Sequence, residues 1–85
     1  MLAPIVHNSE DNRFEIHSEG GGEPAVLEYT IVGKHIDMHH TYVPQALRGQ
    51  GIAAELVEAA LVFAKHQGLE VIPSCSYVAK YMVRH

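Results

Sequence analysis

Apolar and polar residues alternate along three stretches in the first half of the chain, and a helical rhythm follows. Arg13 to His17 sets Phe14 and Ile16 against Arg13, Glu15 and His17, the period of a half-buried strand. Ala25 to Val32 repeats it, with Ala25, Leu27, Tyr29 and Ile31 on one face. Gly33-Lys34 then supplies a two-residue hairpin turn. In the third stretch, His35 to Val43, alternation predicts Ile36, Met38, His40 and Tyr42 on one face, and His35, Asp37, His39, Thr41 and Val43 on the other. A bulge would disturb that count. Upstream, Ile5 and Val6 give a weak strand signal after Pro4, and Asn8 to Asn12 reads as a turn. Glu19 to Pro24 is a flexible connection, either a plain hairpin loop or a mobile loop on the substrate side.

From Gly51 to Gln67 the spacing becomes helical. Ile52, Leu56, Ala59, Ala60 and Phe63, with Ala53, Val57 and Ala64 beside them, form a wide apolar face, and its alanines let the helix lie close on a sheet. Glu55 and Glu58 near its start, and Lys65 and His66 near its end, suit the helix dipole; Gly68 is a natural stop. Leu69 to Pro73 is a short apolar strand, and Ser76 to Arg84 a short final helix with Ser74 or Ser76 as its cap. The strand–helix–strand unit should be right-handed, with its two strands parallel. The expectation is one α/β (α+β) domain over residues 1–85: an antiparallel β-meander followed by strand–helix–strand–helix, a mixed sheet with helices packed on it.

Composition narrows the function. With 47% hydrophobic and 19% charged residues the chain has material for a core. The formal charge of −4 argues against a general nucleic-acid binder, which needs a concentrated basic face, and suits a cationic amine partner. Partial protonation of seven histidines near pH 6 would erase much of that charge. A single cysteine excludes an intrachain disulfide framework. No signal peptide or membrane-spanning run is evident, so a cytoplasmic compartment is expected. The domain should be a monomer or a small homo-oligomer.

Candidate chemistry concentrates at the strand-to-helix junction. A helix start leaves N–H groups unpaired, and none of the usual capping residues occurs between Pro44 and Glu55. Gly49 and Gly51 remove the side chains that would hold a ligand away from those amides. An anion, typically a phosphate, is the natural acceptor there, and Arg48 stands at the rim.

Arg48-Gly49-Gln50-Gly51-Ile52-Ala53 resembles the Arg/Gln-x-x-Gly-x-Gly/Ala signature of the GNAT superfamily of N-acetyltransferases. His40-Thr41-Tyr42-Val43-Pro44 and Pro73-Ser74-Cys75-Ser76-Tyr77 are similar to the His-Thr-x-Val-Pro and Pro-x-Cys-Ser/Pro-Tyr/Phe segments of its minimal single-domain subgroup. The resemblance covers roughly residues 12 to 85. It implies that Val43 and Arg48 to Ala53 cradle the pyrophosphate of coenzyme A, and that the product is an acetylated amine on a small molecule or a protein lysine. It also implies that the strands flanking the long helix splay to admit the acyl arm. Larger relatives carry a helical segment between their first strands that builds the acceptor pocket; its absence here leaves that site open or supplied by another chain.

Several side chains keep two readings. Cys75, before the last helix, is a thiol able to contact or transiently accept the acetyl group, or an inert buried cysteine. His40 is a general base or a buried histidine satisfied by backbone groups, with water as the other taker of the amine proton. Tyr77 or Tyr81 is the acid for the departing thiolate, or ordinary packing. Lys80 and Arg84 offset cofactor phosphate charge or are solvated surface, and Thr41 reads as a structural hydrogen-bonding residue. His35, Asp37 and His39 on one strand face raise a weaker metal reading. The competing functional class is a coenzyme A-binding or protein-interaction module without turnover.

Overall fold

The computed structural model describes residues 4–84. Five strands form one sheet in the order β1-β2-β3-β4-β5: β1 Val6–Asn8, β2 Arg13–Ile16, β3 Ala25–Val32, β4 His35–Tyr42 and β5 Glu70–Ile72. The first four pair antiparallel, and β5 lies parallel to β4, with His35 opposite Glu70 and Asp37 opposite Ile72. Helix α1 (Ile52–Gln67) links β4 to β5, and α2 (Ser76–Arg84) follows β5. The meander, the parallel last pair and both helices agree with the sequence pattern. A one-turn 3₁₀ segment at Gln45–Leu47, which periodicity did not signal, precedes α1.

Both helices feed the same core. Ile52, Leu56, Val57, Ala60 and Ala64 of α1, with Val78 of α2, bury against Phe14, Ile16, Ala25, Leu27, Tyr29, Ile36 and Met38 of the sheet. The α1 stripe is turned slightly from the expected one: Val57 and Ala64 lie inside it, while Ala59 and Phe63 are only partly buried. Ala60 and Ala64 carry little more than backbone, so the helix axis can approach the sheet closely. Among the described residues no helix covers the opposite face, where Arg13, Glu28, Thr30, His40 and Tyr42 line up across the strands. Glu15 is nonetheless buried there, hydrogen-bonded by Arg13, His17 and Asn8. No described helix is long and apolar enough to cross a membrane.

One cluster ties the first strand to α1. The His7 ring stacks on Phe14 at 4.1 Å and meets Phe63 of α1 edge-on at 4.5 Å, and its Nε2 lies 2.6 Å from the Tyr29 hydroxyl. Burial lowers the His7 pKa and raises that of Tyr29, because each ring is neutral in an apolar box.

Candidate functional site

The junction between β4 and α1 is an open helix end. Pro44 and Leu47 are buried and pin the 3₁₀ turn, which closes through Leu47 N–H to Pro44 O at 2.9 Å. Arg48 Nε donates to Val43 O at 3.0 Å, folding the loop back onto the strand end. The chain then reverses through Gly49 (φ 82°) and Gly51 (φ 72°), conformations that side chains rarely allow. Gly51 is the helix N-cap and no side chain caps the turn; the first helical bond runs from Glu55 N–H to Gly51 O at 3.2 Å. The amides of Ile52, Ala53 and Ala54 therefore lack helical acceptors. A Cβ built on Gly49 or Gly51 meets nothing within 4 Å, so neither glycine is there to avoid a clash. Donors and dipole point the same way, toward an anion.

A cleft of about 180 Å³ sits at this corner, lined by Val43, Leu47, Arg48, Gly49, Gly51, Ile52, Ala53 and Tyr77. That is below the roughly 300–1,000 Å³ of a pocket for a whole drug-sized molecule. It has room for a phosphate group or two, and a long ligand must run on along the surface. Gln50, expected in the site, is not part of the lining, whereas Leu47 is. Beyond Tyr77 the surface continues into a second cleft bounded by Ala54, Lys80, Tyr81 and Arg84, which places two cations within the same run of surface.

Cys75 stands beside the far end of β4. Its N–H donates to Met38 O at 2.9 Å, and its carbonyl accepts from Ala79 at 3.1 Å. It is therefore the N-cap of α2, and neither Ser74 nor Ser76 takes that position. The run Pro73-Ser74-Cys75-Ser76 offers three adjacent candidates, and the bond to β4 fixes the phase. Sγ lies 3.4 Å from Thr41 Oγ1. Burial works against the thiolate, but hydrogen bonds from the Thr41 hydroxyl and from the amides of Val78, Tyr77 and Thr41 outweigh it, so the pKa falls below the ordinary thiol value.

His40 does not face the core. The β3–β4 ladder slips by one residue: Tyr29 pairs with Met38 and Glu28 with His40, leaving His39 without a partner. Such a bulge reverses the facing of everything beyond it. Ile36 and Met38 point inward as expected, but after the bulge Thr41, opposite the buried Leu27, takes the inward place. His40 and Tyr42 are exposed on the open face. Alternation could not see the slip, since His39 and His40 fit either count. The three residues of the metal reading diverge: His35 Nε2 lies 3.2 Å from Glu70 Oε2, His39 Nε2 lies 3.3 Å from Thr30 Oγ1, and Asp37 Oδ1 is buried without a partner. Among the described residues no three His, Cys, Asp or Glu side chains are grouped to hold an ion.

Fold and site define a small α+β domain whose central feature is an anion-receptive, glycine-rich helix start between two strands of a mixed sheet. The family model described as GCN5-related N-acetyl-transferase matches residues 13–85, and the chain belongs to that family. It is 40% identical over 79 residues to Protein NATD1 of Mus musculus, covering 92% of this chain and 72% of that protein. With Protein NATD1 of Homo sapiens it shares 40% over 79 residues, 92% of this chain and 70% of the relative. The solution structure of a GCN5-like protein from Staphylococcus aureus superposes with a TM-score of 0.68 at 32% identity, over 95% of this chain and 78% of that one.

Proposed function

We propose that the domain binds acetyl-CoA along the α1 corner and transfers the acetyl group to an amine acceptor. The observation that carries this reading is the uncapped start of α1, cleared by Gly49 and Gly51, opening on a cleft that ends at Tyr77, two residues from Cys75. The residues fit the group. The amides from Gly49 to Ala53 and the Arg48 guanidinium receive the diphosphate, and Lys80 and Arg84 offset phosphate charge further along the surface. The acyl donor brings a thioester already activated for transfer.

The chain then supplies positions for the chemistry. As a thiolate, Cys75 Sγ attacks the acyl carbon; its C–S bond forms as the bond to the coenzyme A sulfur breaks, and that sulfur leaves with the electron pair. Tyr77, which lines both clefts, gives the leaving thiolate a proton. The amine takes the acyl group from Cys75 or, where it can reach, directly from the donor. Because the bulge turns His40 to the sheet face away from Cys75, water takes the proton of the attacking amine.

The test is incubation with radiolabelled acetyl-CoA and a panel of polyamines and lysine peptides. Acceptor labelling together with transient label on Cys75 is expected. Coenzyme A binding with neither would establish instead a module that keeps the nucleotide site without turnover.

A further inference from the structure

The bulge that carries His40 to the open face brings Thr41 inward in its place. In unbroken alternation Thr41 would share a face with His35 and Asp37, away from Cys75. Instead its hydroxyl lies 3.4 Å from Cys75 Sγ. The amides of Tyr77 and Val78, in the first turn of α2, also favour the thiolate. Donors from two separate elements thus act on one atom, and the Cys75 N–H bond to Met38 O locks those elements together.

We propose that Thr41 is a positioning residue for Cys75, its hydroxyl holding the sulfur as a thiolate and aiming it from the end of β4. The helix amides hold the sulfur from α2 alone. A donor from the strand adds a second hold. While the sulfur is protonated, the S–H can donate to Oγ1; once the proton has gone to solvent, only the hydroxyl can donate, so the same contact serves both states. No electron is gained or lost, and the thiolate keeps a lone pair for an acyl carbon. The inference rests on Cys75 as acyl acceptor, and it adds a residue that periodicity placed on the wrong face.

Cys75 is the only cysteine in the chain, so alkylation reports on it alone. The experiment is the rate of reaction with iodoacetamide from pH 5 to 10 for the wild type, Thr41→Val and Thr41→Ser. Titratable groups on the surrounding elements (Asp37, His39 and His40 on β4, Glu55 on α1, Tyr77, Lys80 and Tyr81 on α2) are the same in all three proteins and cancel. Thr41→Val keeps the shape and is expected to raise the midpoint by about one pH unit, a tenfold loss of thiolate below it. Because a more basic thiolate is the better nucleophile, the rate there falls only about threefold. Thr41→Ser is expected to restore most of the shift. A folded Thr41→Val with the wild-type profile overturns the proposal, as does a Thr41→Ser that shifts as far as valine, since packing of the methyl group would then be the cause. Should valine fail to fold, Thr41→Ala carries the same expectation. Iodoacetamide requires no acyl donor. A shifted profile in a protein whose Cys75 is never labelled by acetyl-CoA would therefore remove the acyl-acceptor role while leaving the hold of Thr41 on the sulfur intact.

Discussion

Replacing Gly51 by valine tests the anion corner, and the molecule supplies its own control. Gly51 caps the start of α1 at φ 72°, ψ 18°; Gly68 caps the end of the same helix at φ 67°, ψ 31°. A Cβ at either position meets nothing within 4 Å, so the cost in both is backbone strain without collision. A non-glycine residue held in the left-handed region costs about 1–3 kcal/mol. A chain of this length is stable by about 4–13 kcal/mol, so both variants should fold. Each should melt roughly 4–24 °C lower. The two differ only in what the side chain covers. At Gly51 it enters the cleft that Ile52 and Ala53 also line, and each charge-assisted hydrogen bond lost there is worth about 1.5–3 kcal/mol. The affinity of Gly51→Val for coenzyme A should drop tenfold to a hundredfold or more, and that of Gly68→Val should stay at the wild-type value. Calorimetric titration with coenzyme A, beside thermal melts of both proteins, decides it. Wild-type affinity in Gly51→Val, or equal losses in the two variants, would refute the placement of a phosphate at this corner.

Acid should weaken the fold in two separate windows. His7 has a folded pKa lowered by burial, so the folded state binds fewer protons than the unfolded chain; its contribution is complete above the ordinary value of 6.5 and is lost as pH falls through the folded value. Urea midpoints at pH 7.5 and 5.5 should differ in the wild type and differ less in His7→Phe, which keeps the stack on Phe14; an undiminished difference would place the effect elsewhere. The Glu15 carboxyl, lowered by His17 and then Arg13, contributes fully above its ordinary value of 4.5 and loses that contribution only below it. Glu15→Gln should therefore flatten the stability curve below about pH 4.5 and leave the higher window alone, and a change confined to the higher window would contradict the assignment. Cys75→Ser should keep the N-cap and hold stability within about 0.5 kcal/mol, while Cys75→Ala loses about 0.5–2 kcal/mol. Coincident melting curves for those two variants would show that the sulfur does not cap α2.

The open helix corner was legible because it depends on local chemistry. Gly49 and Gly51 with no capping residue between Pro44 and Glu55 state in sequence that the amides stay open, whatever the helix packs against. Strand boundaries were legible for a similar reason: Ala25–Val32 and its Gly33-Lys34 turn depend on neighbours two residues apart, and the structure keeps them. Gln50 is the exception within the motif, since a surface cleft is bounded by what lies across from it, and Tyr77 comes from another helix.

What the sequence alone determined is thus the order of elements, the parallel last pair and the uncapped helix start, all set by short-range periodicity and backbone freedom. Tertiary structure decided which way β4 faces after residue 38, because a bulge is a property of the ladder with β3 and leaves no mark on one strand's alternation. It decided that Cys75 and not a neighbouring serine caps α2, through a hydrogen bond to β4. It also took His7 out of a polar run and closed it into a ring of Phe14, Tyr29 and Phe63, because a neutral imidazole with a hydroxyl partner packs as an aromatic once β1, β2, β3 and α1 meet.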